Sequence, residues 1–533
     1  MEKRTLLAVV LSIIILFVWQ YFLAPKPPAT GPRPAGQSQK QGEESAKKTQ
    51  EPGVPAGTGQ VAPPEAPLTS AAQHRSTRLI TVDTPKLRVT LGSLGGGITS
   101  VRLHEYKESL GSTEGKELLE NMGPYTYLPA VSGIVNGNTF GDATIFSADR
   151  GDIVVRDKQE TLVLSGNLAN GTRVRKTYTF YPDAYAVGLA VETGETNQAS
   201  TTFADFAVMS MKGKSSYTFK GPFIYDGRKL DQISKLDSPV SADSSYQYTG
   251  FDEGYFSFIM MPRETKPELL ITKIEQTPVE RLMLAKGAFN GTLYFVPNKI
   301  SLLKRLDINA DKIVNFGWFD IIAKPMLWGM NFADGFTHNY GIDIILLTVL
   351  IKIIFYPLSV KSYKSMKNMQ KLQPKIAQLR EKFKNDKEKL NQELMGIYKR
   401  EGINPLGGCL PMVIQIPVFF ALYRVLMSAI EFRHAPFMLW VKDLAAPEDL
   451  FTLTVAGYAL PLRILPLIMG ITMVIQQKMT PTAGDPMQAK MMMFMPIFFT
   501  FLFWGFPSGL VLYWLVNNVI SIGQQYYINK QVA

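Results

Sequence analysis

The sequence predicts a multi-domain membrane protein with an N-terminal transmembrane anchor, an all-β domain and a C-terminal α-helical region that crosses the membrane five times. Apolar runs long enough to cross a bilayer stand at both ends of the 533-residue chain. The stretch between them alternates apolar and polar residues in the manner of strands. A mean hydropathy of +0.03 is too polar for a membrane bundle alone and suits one that carries a large soluble part.

The chain opens with an apolar run from Leu6 to Leu23 behind a short basic flank. This resembles a signal sequence, but no small-residue cleavage site follows, and Pro25 would obstruct one. We therefore expect residues 1–24 to be an uncleaved anchor with its N-terminus in the cytoplasm. Residues 25–75 are rich in Pro, Gly, Ala, Gln and Lys, which cannot bury enough surface to fold, so they are predicted to be a disordered linker.

Residues 76–310 have the pattern of a large β-sandwich. In the segment YAVGLAV, Tyr185, Val187, Leu189 and Val191 share one face, which is typical of a half-buried strand. Similar runs recur between turn signals such as GSLGGG and YPDA, and many short strands with Gly/Pro turns favour a sandwich.

Composition argues against several classes of site. The single cysteine, Cys409, rules out an intrachain disulfide framework and a cysteine-based zinc cluster, and the four histidines lie far apart. The β region has no nucleophile–base arrangement or phosphate loop, and we expect Asp252 and Glu253 at its solvated surface. We therefore expect no catalytic residue, metal or cofactor. The net charge of +11 is concentrated beside membrane segments, so we expect no direct nucleic-acid specificity.

Residues 311–336 are amphipathic and aromatic, with an interruption predicted at Lys324-Pro325. Trp318 and Trp328 fit a helix that lies in the membrane interface, because indole rings favour the headgroup level. Packing against the sandwich is the alternative.

The next apolar run, from Gly341 to Pro357, carries a lysine and lies in a predicted span over residues 337–360. An ammonium at this depth costs about 2.5 kcal/mol or more unless water or a partner reaches it, which makes Lys352 a candidate functional residue. Thr348 precedes it by four residues and extends the polar face. The alternative is a lysine whose stem carries the ammonium toward the interface.

Residues 361–407 are predicted to form an antiparallel helical hairpin, because apolar residues repeat at spacings of three and four on both sides of Asn385-Asp386. From Lys361 to Asn404 there are twelve basic and five acidic residues, so the positive-inside rule makes the hairpin cytoplasmic. These charges either only fix topology and attract anionic lipid, or also dock a ribosome or targeting partner. The candidate docking residues are Lys371, Lys375, Arg380, Lys382, Lys384 and Lys387.

Further spans are predicted at 408–430, 456–477, 490–505 and 510–527, joined by a periplasmic loop at 431–455 and a cytoplasmic loop at 478–489. Together with the anchor and the Lys352 helix they make six crossings, which places the C-terminus in the cytoplasm and the β domain outside. The third of these spans is short, roughly 24 Å long against a hydrocarbon core near 30 Å, which predicts local thinning of the bilayer.

Polar residues recur in the cytoplasmic halves of three of these helices. Counted inward from the cytoplasmic ends, Lys352 and Gln415 lie at roughly 10 Å and Asn517 and Asn518 at about 15 Å. Since polar side chains in lipid normally face the bundle interior or water, we predict a wet groove open to the cytoplasm and closed toward the outside. Its predicted lining is Thr348, Lys352, Gln415, Trp514, Asn517, Asn518 and Ser521.

Methionines cluster in the fifth span, and methionine adapts to varied apolar partners. They either pack in the ordinary way or form a hydrophobic slide for foreign apolar segments. The predicted slide residues are Phe419, Leu422, Met491, Met492 and Met495.

The C-terminal half contains several long distinctive stretches. They are GWFDIIAKPMLWGM, NYGIDIILLTVLIKIIFYPLSVKSYKSMKNMQKLQPKI, YKREGINPLGGCLPMVIQIPVFFALY, FRHAPFMLWVKDL, QKMTP, DPMQAKMMMFMP and FPSGLVLYWLVNN. Together they resemble the YidC family of membrane protein insertases. The resemblance implies a periplasmic β-supersandwich and a five-helix insertase core in the bacterial inner membrane. It also implies a hydrophilic groove whose positive residue attracts the polar flank of an incoming membrane protein, and action alone or beside the Sec translocon.

The chain departs from that family pattern at two positions. The pattern usually has arginine where this chain has Lys352, so the charge is kept but the bidentate fork is lost. A tyrosine pair common in the last helix is Tyr513-Trp514 here.

We therefore expect a membrane protein insertase and chaperone rather than an enzyme, with nascent membrane proteins as clients. The Sec translocon, the ribosome and anionic lipids are further expected partners. A transporter or channel would also use a buried charge, but should show an outward path or broken helices near the midplane. A periplasmic glycan-binding protein is the other alternative, since sugar enzymes also use large β-sandwiches.

Overall fold

The computed structural model describes most of the chain from residue 78 to residue 531. The described residues are 78–119, 122–135, 138–141, 144–168, 171–194, 200–208, 219–243, 245–264, 266–284, 288–402, 410–455, 458–479 and 486–531. The predicted anchor at 1–24 and linker at 25–75 lie outside them, as do residues 480–485 of the predicted loop at 478–489.

The N-terminal half of the described chain is built from β-strands. They are β1 Leu79–Asp83, β2 Leu87–Gly92, β3 Gly97–Lys107, β4 Gly115–Glu117, β5 Ala130–Val135, β6 Asn138–Gly141, β7 Ser147–Ala148, β8 Ile153–Val154, β9 Glu160–Asn167, β10 Arg173–Phe180, β11 Ala186–Thr193, β12 Ser200–Phe206, β13 Gly221–Tyr225, β14 Leu230–Gln232, β15 Val240–Ala242, β16 Tyr248–Asp252, β17 Phe256–Pro262, β18 Glu268–Ile274, β19 Thr277–Leu284 and β20 Ala288–Pro297.

These strands form three sheets. The largest has the order β14-β13-β16-β17-β20-β11-β10-β9-β7, the second β15-β18-β19-β12-β5-β6 and the third β4-β3-β2-β1-β8. Strand β11 lies inside the largest sheet, where Leu189 is opposite Tyr178 on one side and Gly291 on the other. The predicted buried face is confirmed, because Val187, Leu189 and Val191 are buried. The expectation of a half-buried strand is wrong, since Ala186 and Gly188 on the other face are buried too.

The two larger sheets pack face to face and enclose the core of the domain. Phe206 of β12 stacks on Phe258 of β17 with ring centroids 6.0 Å apart. Between the same two sheets, the Thr249 hydroxyl on β16 donates to Glu280 Oε1 on β19 at 2.7 Å. Aromatic and aliphatic side chains from both inner faces therefore fill a sandwich, as the sequence predicts.

The surface position expected for Asp252 is wrong. Its side chain is buried and accepts a hydrogen bond from Asn298 Nδ2 at 2.9 Å and from the Gly254 N–H at 2.8 Å. Burial raises the pKa of Asp252 to about 7. Asp252 ends β16, and its partners are Gly254, in the connection from β16 to β17, and Asn298, directly after β20.

The C-terminal half is mainly helical. Its elements are α1 Ile300–Arg305, α2 Asp320–Thr337, α3 Tyr340–Ile354, α4 Tyr356–Lys382, α5 Lys387–Arg400, α6 Leu410–Ser428, a hairpin of β21 Phe451–Val455 and β22 Tyr458–Leu462, α7 Ile464–Met479, α8 Pro486–Phe503 and α9 Ser508–Gln531. Helix α9 is central, because α3, α4, α6 and α7 all pack on it, while α8 packs on α7.

Within the described ranges, no individual helix is both long enough and apolar enough to cross a membrane. Helices α3 and α4 meet both conditions when taken together, with a bend of 64° between them. The bend falls inside the predicted span 337–360. Phe355 leaves the helical conformation at φ −89° and ψ 3°, and Pro357 has no N–H with which to continue the ladder. The predicted span over 337–360 therefore consists of α3 and the start of α4, which meet at Phe355.

The interruption predicted at Lys324-Pro325 does not occur, since α2 continues through Pro325. Proline removes one helical hydrogen bond, but Ala323 and Met326 on either side of it are buried, so packing holds both halves of the helix in line. The opposite face of α2 is exposed, and Trp328 on that face is 71% exposed.

The helix predicted from residue 456 begins later, at Ile464, because residues before it form the β21–β22 hairpin. Pro461 would cost a helix interior about 3 kcal/mol, whereas a short strand at a sheet edge tolerates it. The side chain of Glu448 reaches the new start of the helix and accepts the N–H of Leu465.

Helices α4 and α5 form the predicted hairpin around a small apolar cluster. Met369, Leu372 and Ile376 of α4 are buried, with side chains of α5 packed against them. The turn ends at Asp386, whose carboxylate accepts the N–H of Lys389 at 3.0 Å and caps α5.

Candidate functional site

Lys352 lies near the end of α3 and faces the central helix α9. Its ammonium donates to Ser521 Oγ at 2.6 Å, and the Ser521 hydroxyl donates in turn to the Asn517 carbonyl at 2.7 Å. Tyr363 of α4 donates its hydroxyl to the Ser521 carbonyl at 3.5 Å. Three helices therefore meet at one turn of α9 around a positive charge.

This charge has no acidic partner in the described part of the chain. Ser521 is the only side chain there that hydrogen-bonds to Lys352, and it is neutral. The amide oxygens of Asn517 and Gln524 are buried without a hydrogen-bond partner among the same residues. Asn517, Ser521 and Gln524 share one face of α9 by their spacing. Buried polar groups normally have partners, so this face offers hydrogen-bonding capacity that the described chain does not itself use.

Gln415 does not join this group. Its amide donates to the Tyr513 hydroxyl, which lies two turns from Ser521 on α9, or about 12 Å along the helix. The prediction that Lys352 and Gln415 lie at the same depth is therefore wrong. Counting residues inward from helix ends ignores the offset between neighbouring helices, and only packing decides that offset.

Trp514 takes part in an aromatic cluster rather than in polar contacts. Its ring centroid lies 5.2 Å from Phe419, 5.9 Å from Phe499 and 5.1 Å from Phe503. These rings come from α6 and α8, so the cluster joins α6, α8 and α9. On α9, Trp514 lies seven residues before Ser521, the partner of Lys352. Trp514 supplies an apolar wall here, which differs from the wetting role predicted for it.

Two further predicted lining residues face elsewhere. Asn518 is buried and donates from Nδ2 to Thr472 Oγ1 of α7 at 3.2 Å, and Gln525 donates to the Met479 carbonyl of the same helix at 2.7 Å. Thr348 is buried and donates to the Ile344 carbonyl in its own helix at 2.6 Å. The polar residues of α9 therefore lie on two faces, of which one binds α7 and the other faces Lys352.

Residues 429–450, named the outer loop, cross the ends of the helices opposite the α4–α5 hairpin. At the start of α3, Asn339 Nδ2 donates to the Phe437 carbonyl of the loop at 2.8 Å. At the start of α7, the Leu465 N–H donates to the Glu448 carboxylate. At the start of α9, the Ser508 hydroxyl donates to the Asp443 carbonyl at 2.6 Å. The same loop binds the β domain, since Arg433 donates to the Glu108 carbonyl at 2.9 Å. The β domain and the outer loop therefore lie at the same end of the helices.

Comparison with known proteins decides the family. A model described as "60Kd inner membrane protein" matches residues 332–533, and one described as "YidC periplasmic domain" matches residues 79–329. The "Membrane protein insertase YidC" of Geobacter sulfurreducens is 40% identical over 100% of this chain and 99% of its own length. The chain belongs to the YidC family of membrane protein insertases.

A second relative agrees with this assignment. The "Membrane protein insertase YidC" of Citrifermentans bemidjiense is 39% identical, with 100% of both chains covered. A crystal structure of an active YidC insertase with its first transmembrane domain resolved matches at a TM-score of 0.40 and 21% identity, over 85% of this chain and 93% of that one.

Membership of the YidC family places the protein in the inner membrane with its β domain in the periplasm. An insertase is not an enzyme, and the family assignment favours this function over the transporter, channel and glycan-binding alternatives. Because the outer loop is bonded to the β domain, the two lie at the same end of the helices, and Lys352 lies toward the other end of α3.

The slide predicted for this YidC-family chain is only partly at a surface. Leu422 is fully buried, so it cannot line a slide, while Phe419 and Met495 are half-buried. Met491 and Met492 lie in α8, but their side chains are outside the described part. The exposed apolar side chains nearby are Val413 and Ile416 of α6 and Met493, Phe494, Ile497 and Phe501 of α8. The sequence did not identify them because a run without polar residues has no marked outward face.

The basic residues of the hairpin are mostly accessible. Lys371, Lys375, Lys382 and Lys384 are exposed, while Arg380 is half-buried and the Lys387 side chain is outside the described part. Lys375 pairs with Glu401 at 3.2 Å, and Lys382 lies 5.5 Å from the centre of the Phe383 ring. Such exposed pairs are weak, so the hairpin keeps its positive surface.

Proposed function

We propose that this insertase receives nascent membrane proteins at the α9 face of Asn517, Ser521 and Gln524, and that Lys352 attracts their polar, often acidic, flank. One observation carries the proposal: the Lys352 ammonium lies inside the helical core with a hydroxyl, and no carboxylate, as its partner. A client carboxylate would complete the pairing that the described chain leaves open.

The energies involved are of matching size. A charged side chain at the centre of a membrane helix costs about 2.5–3.5 kcal/mol. Two opposite charges 4 Å apart attract by about 4 kcal/mol at an effective dielectric constant of 20. Lys352 can therefore offset roughly the cost of one acidic residue. The apolar part of the client then enters lipid with about −0.3 to −0.6 kcal/mol per Leu-like residue.

The groove in this proposal is open to the cytoplasm and closed toward the periplasm. Closure is supported by the outer loop, which bonds to the starts of α3, α7 and α9. The proposed topology has six crossings, with both termini and the basic hairpin in the cytoplasm. Helix α2 and the turn before it lie along the outer interface, which the exposed Trp318 of that turn and Trp328 of α2 support.

The apolar client segment leaves along exposed side chains of α6 and α8. Ile416 represents this surface on α6, and Phe494 and Phe501 represent it on α8. The predicted slide is kept in this revised form, with Phe419 and Met495 behind it. The predicted short span at 490–505 lies in α8, which has 18 residues, or roughly 27 Å. This is still shorter than a hydrocarbon core near 30 Å, which supports the proposed thinning of the bilayer.

Three further partners are part of the proposal. The exposed lysines of the hairpin suit anionic lipids and an acidic surface on a ribosome or targeting partner. The Sec translocon is proposed as a partner because the family resemblance implies action alone or beside it. Direct recognition of nucleic-acid sequence is not part of the proposal.

Insertion of an acidic-tailed single-span client into proteoliposomes tests the role of Lys352. We expect Lys352→Arg to retain activity, because the charge remains, and Lys352→Ala and Lys352→Glu to lose it. Lys530→Ala, which removes an exposed lysine near the end of α9, serves as the control. Equal activity in all variants would leave Lys352 as a lysine that only snorkels, and the proposal would fail.

A further inference from the structure

A tight turn in the outer loop holds two apolar residues out from the protein. The Phe437 N–H donates to the Val441 carbonyl at 3.0 Å, and the Val441 N–H donates to the Met438 carbonyl at 3.1 Å. Met438 is 49% exposed and Leu439 is 83% exposed. These two residues are named the tip.

The tip is backbone-strained as well as exposed. Leu439 has φ +55°, in the left-handed region that disfavours a residue with a branched side chain. An exposed leucine makes few contacts that could offset this strain. Strain of this kind persists where the surroundings impose it, and it is found at sites that contact a ligand or partner.

The stem beneath the tip is rigid. The Phe437 ring fills the space beside Gly341, where an added Cβ would lie 2.1 Å from Phe437 Cδ2. Asn339, which caps α3, donates to the Phe437 carbonyl at 2.8 Å, and Trp440 donates from Nε1 to Glu448 at 2.6 Å. The stem is therefore fastened to the first turn of α3, and the tip projects from a fixed base.

The position of this stem sets the level of the tip. The stem sits on the first turn of α3. Further along α3 the outward side chains are apolar, since Leu346, Val349 and Leu350 are all exposed. Arg433, a few residues before the tip, binds the periplasmic domain, so the tip lies on the periplasmic side of the membrane region. It therefore stands where the apolar surface of α3 begins.

The residues around the tip have the composition of a membrane interface. In the segment PFMLWVK the apolar pair is followed by Trp440, which is half-buried, and by Lys442, which is exposed. Tryptophan and lysine beside apolar residues are typical of the headgroup level. A protein partner would need about 800 Å² of surface on each side, and two side chains cannot supply it.

We propose that Met438 and Leu439 insert into the outer leaflet of the bilayer and anchor the outer loop to lipid. The anchor holds the loop that closes the periplasmic ends of α3, α7 and α9. This role concerns lipid, not clients, and does not depend on Lys352.

A depth probe tests the proposal in the full chain. The single cysteine, Cys409, is first changed to serine, then Leu439→Cys is labelled with an environment-sensitive fluorophore in phosphatidylcholine–phosphatidylglycerol liposomes. We expect blue-shifted emission and strong quenching by a nitroxide carried near the headgroup end of a lipid acyl chain. The same label at Lys229→Cys, on an exposed turn of the β domain, should show neither effect. A label at residue 439 that behaves as at residue 229 would overturn the proposal.

Two further readouts keep the test decisive. The blue shift of the label could instead rise with the density of protein in the liposomes and show no quenching by the lipid nitroxide. That result would assign the tip to a contact with a second copy of the chain and overturn the proposal. In the second variant, Leu439→Asn is combined with a label at Met438→Cys. Asparagine tolerates φ +55° better than leucine, so the protein should fold, while the label should move toward water. An unchanged depth would show that Leu439 is not an anchor.

Discussion

The β domain and the helical core bury positive charge in different ways. In the β domain, Arg281 donates to both oxygens of Asp205 at 2.8 Å, and the Tyr125 hydroxyl donates to the same carboxylate at 2.8 Å. In the helical core, Lys352 donates to the hydroxyl of Ser521. The first charge is neutralised by the fold, and the second is left for a group outside the described chain. The Arg281 charge is thus structural, because its counter-charge is built into the fold, whereas the half-buried Lys352 charge has only a hydroxyl as its described partner and is a candidate site.

The largest expected effect concerns the paired charge. Arg281→Met leaves Asp205 buried without its partner and should lower the free energy of unfolding by about 3–5 kcal/mol. Urea unfolding of the full chain in detergent, followed by circular dichroism of the β domain, measures this change. Arg150→Met removes an exposed partner of Glu160 and should cost less than about 1 kcal/mol. Equal costs for the two variants would contradict a structural role for the Arg281–Asp205 pair.

The next effect is the pH dependence of the same domain. Burial raises the pKa of Glu280 to about 8. Between its ordinary value of 4.5 and about 8, the unfolded carboxyl is ionised while the folded one keeps its proton, so stability falls as pH rises. The slope is at most about 1.4 kcal/mol per pH unit for one proton.

Glu280→Gln, which resembles the protonated acid, should flatten this decline between pH 5 and pH 7. Unfolding measured at several pH values checks it. Asp252, whose pKa is raised to about 7, should leave a smaller residual slope. An identical slope in the wild type and in Glu280→Gln would show that Glu280 ionises normally and that the β domain tolerates an unpaired buried charge.

A smaller effect tests how the outer loop is held to the helical core. Gly341→Ala places a Cβ against the Phe437 ring and should destabilise the core by about 1–3 kcal/mol, because an overpacked site must shift. Gly523→Ala in α9 meets no atom within 4 Å and should stabilise that helix by about 0.5–1 kcal/mol. Thermal unfolding in detergent compares the two variants. The same sign for both would mean that the loop is not packed on α3 as described.

The smallest expected change in stability is at Lys352. Lys352→Met removes a charge whose only partner in the described chain is a hydroxyl, so thermal stability in detergent should be unchanged or slightly higher. Insertion of an acidic-tailed client should nevertheless be lost. A large loss of stability would place Lys352 in the same structural class as Arg281 and remove the contrast between the two regions.

The sequence was sufficient where one residue pattern has one structural solution. Alternation predicted the buried face of β11, and Val187, Leu189 and Val191 lie on it. The three- and four-residue spacing predicted the α4–α5 hairpin, with Asp386 at its turn. A charge inside an apolar helix identified Lys352 as a candidate before any neighbour was known. Each of these depends on local periodicity or on composition, which the sequence contains in full.

Only the tertiary structure decided which neighbour each face meets. Asn517 and Asn518 are adjacent in sequence but about 100° apart around α9, so Asn518 binds α7 while the Asn517 oxygen is left unpaired. The same limit applies to Leu422, which is buried, and to Gln415, which meets Tyr513 instead of the Lys352 turn. Periodicity states which residues share a face. The offset and rotation of packed helices, which depend on every side chain between them, decide what that face touches.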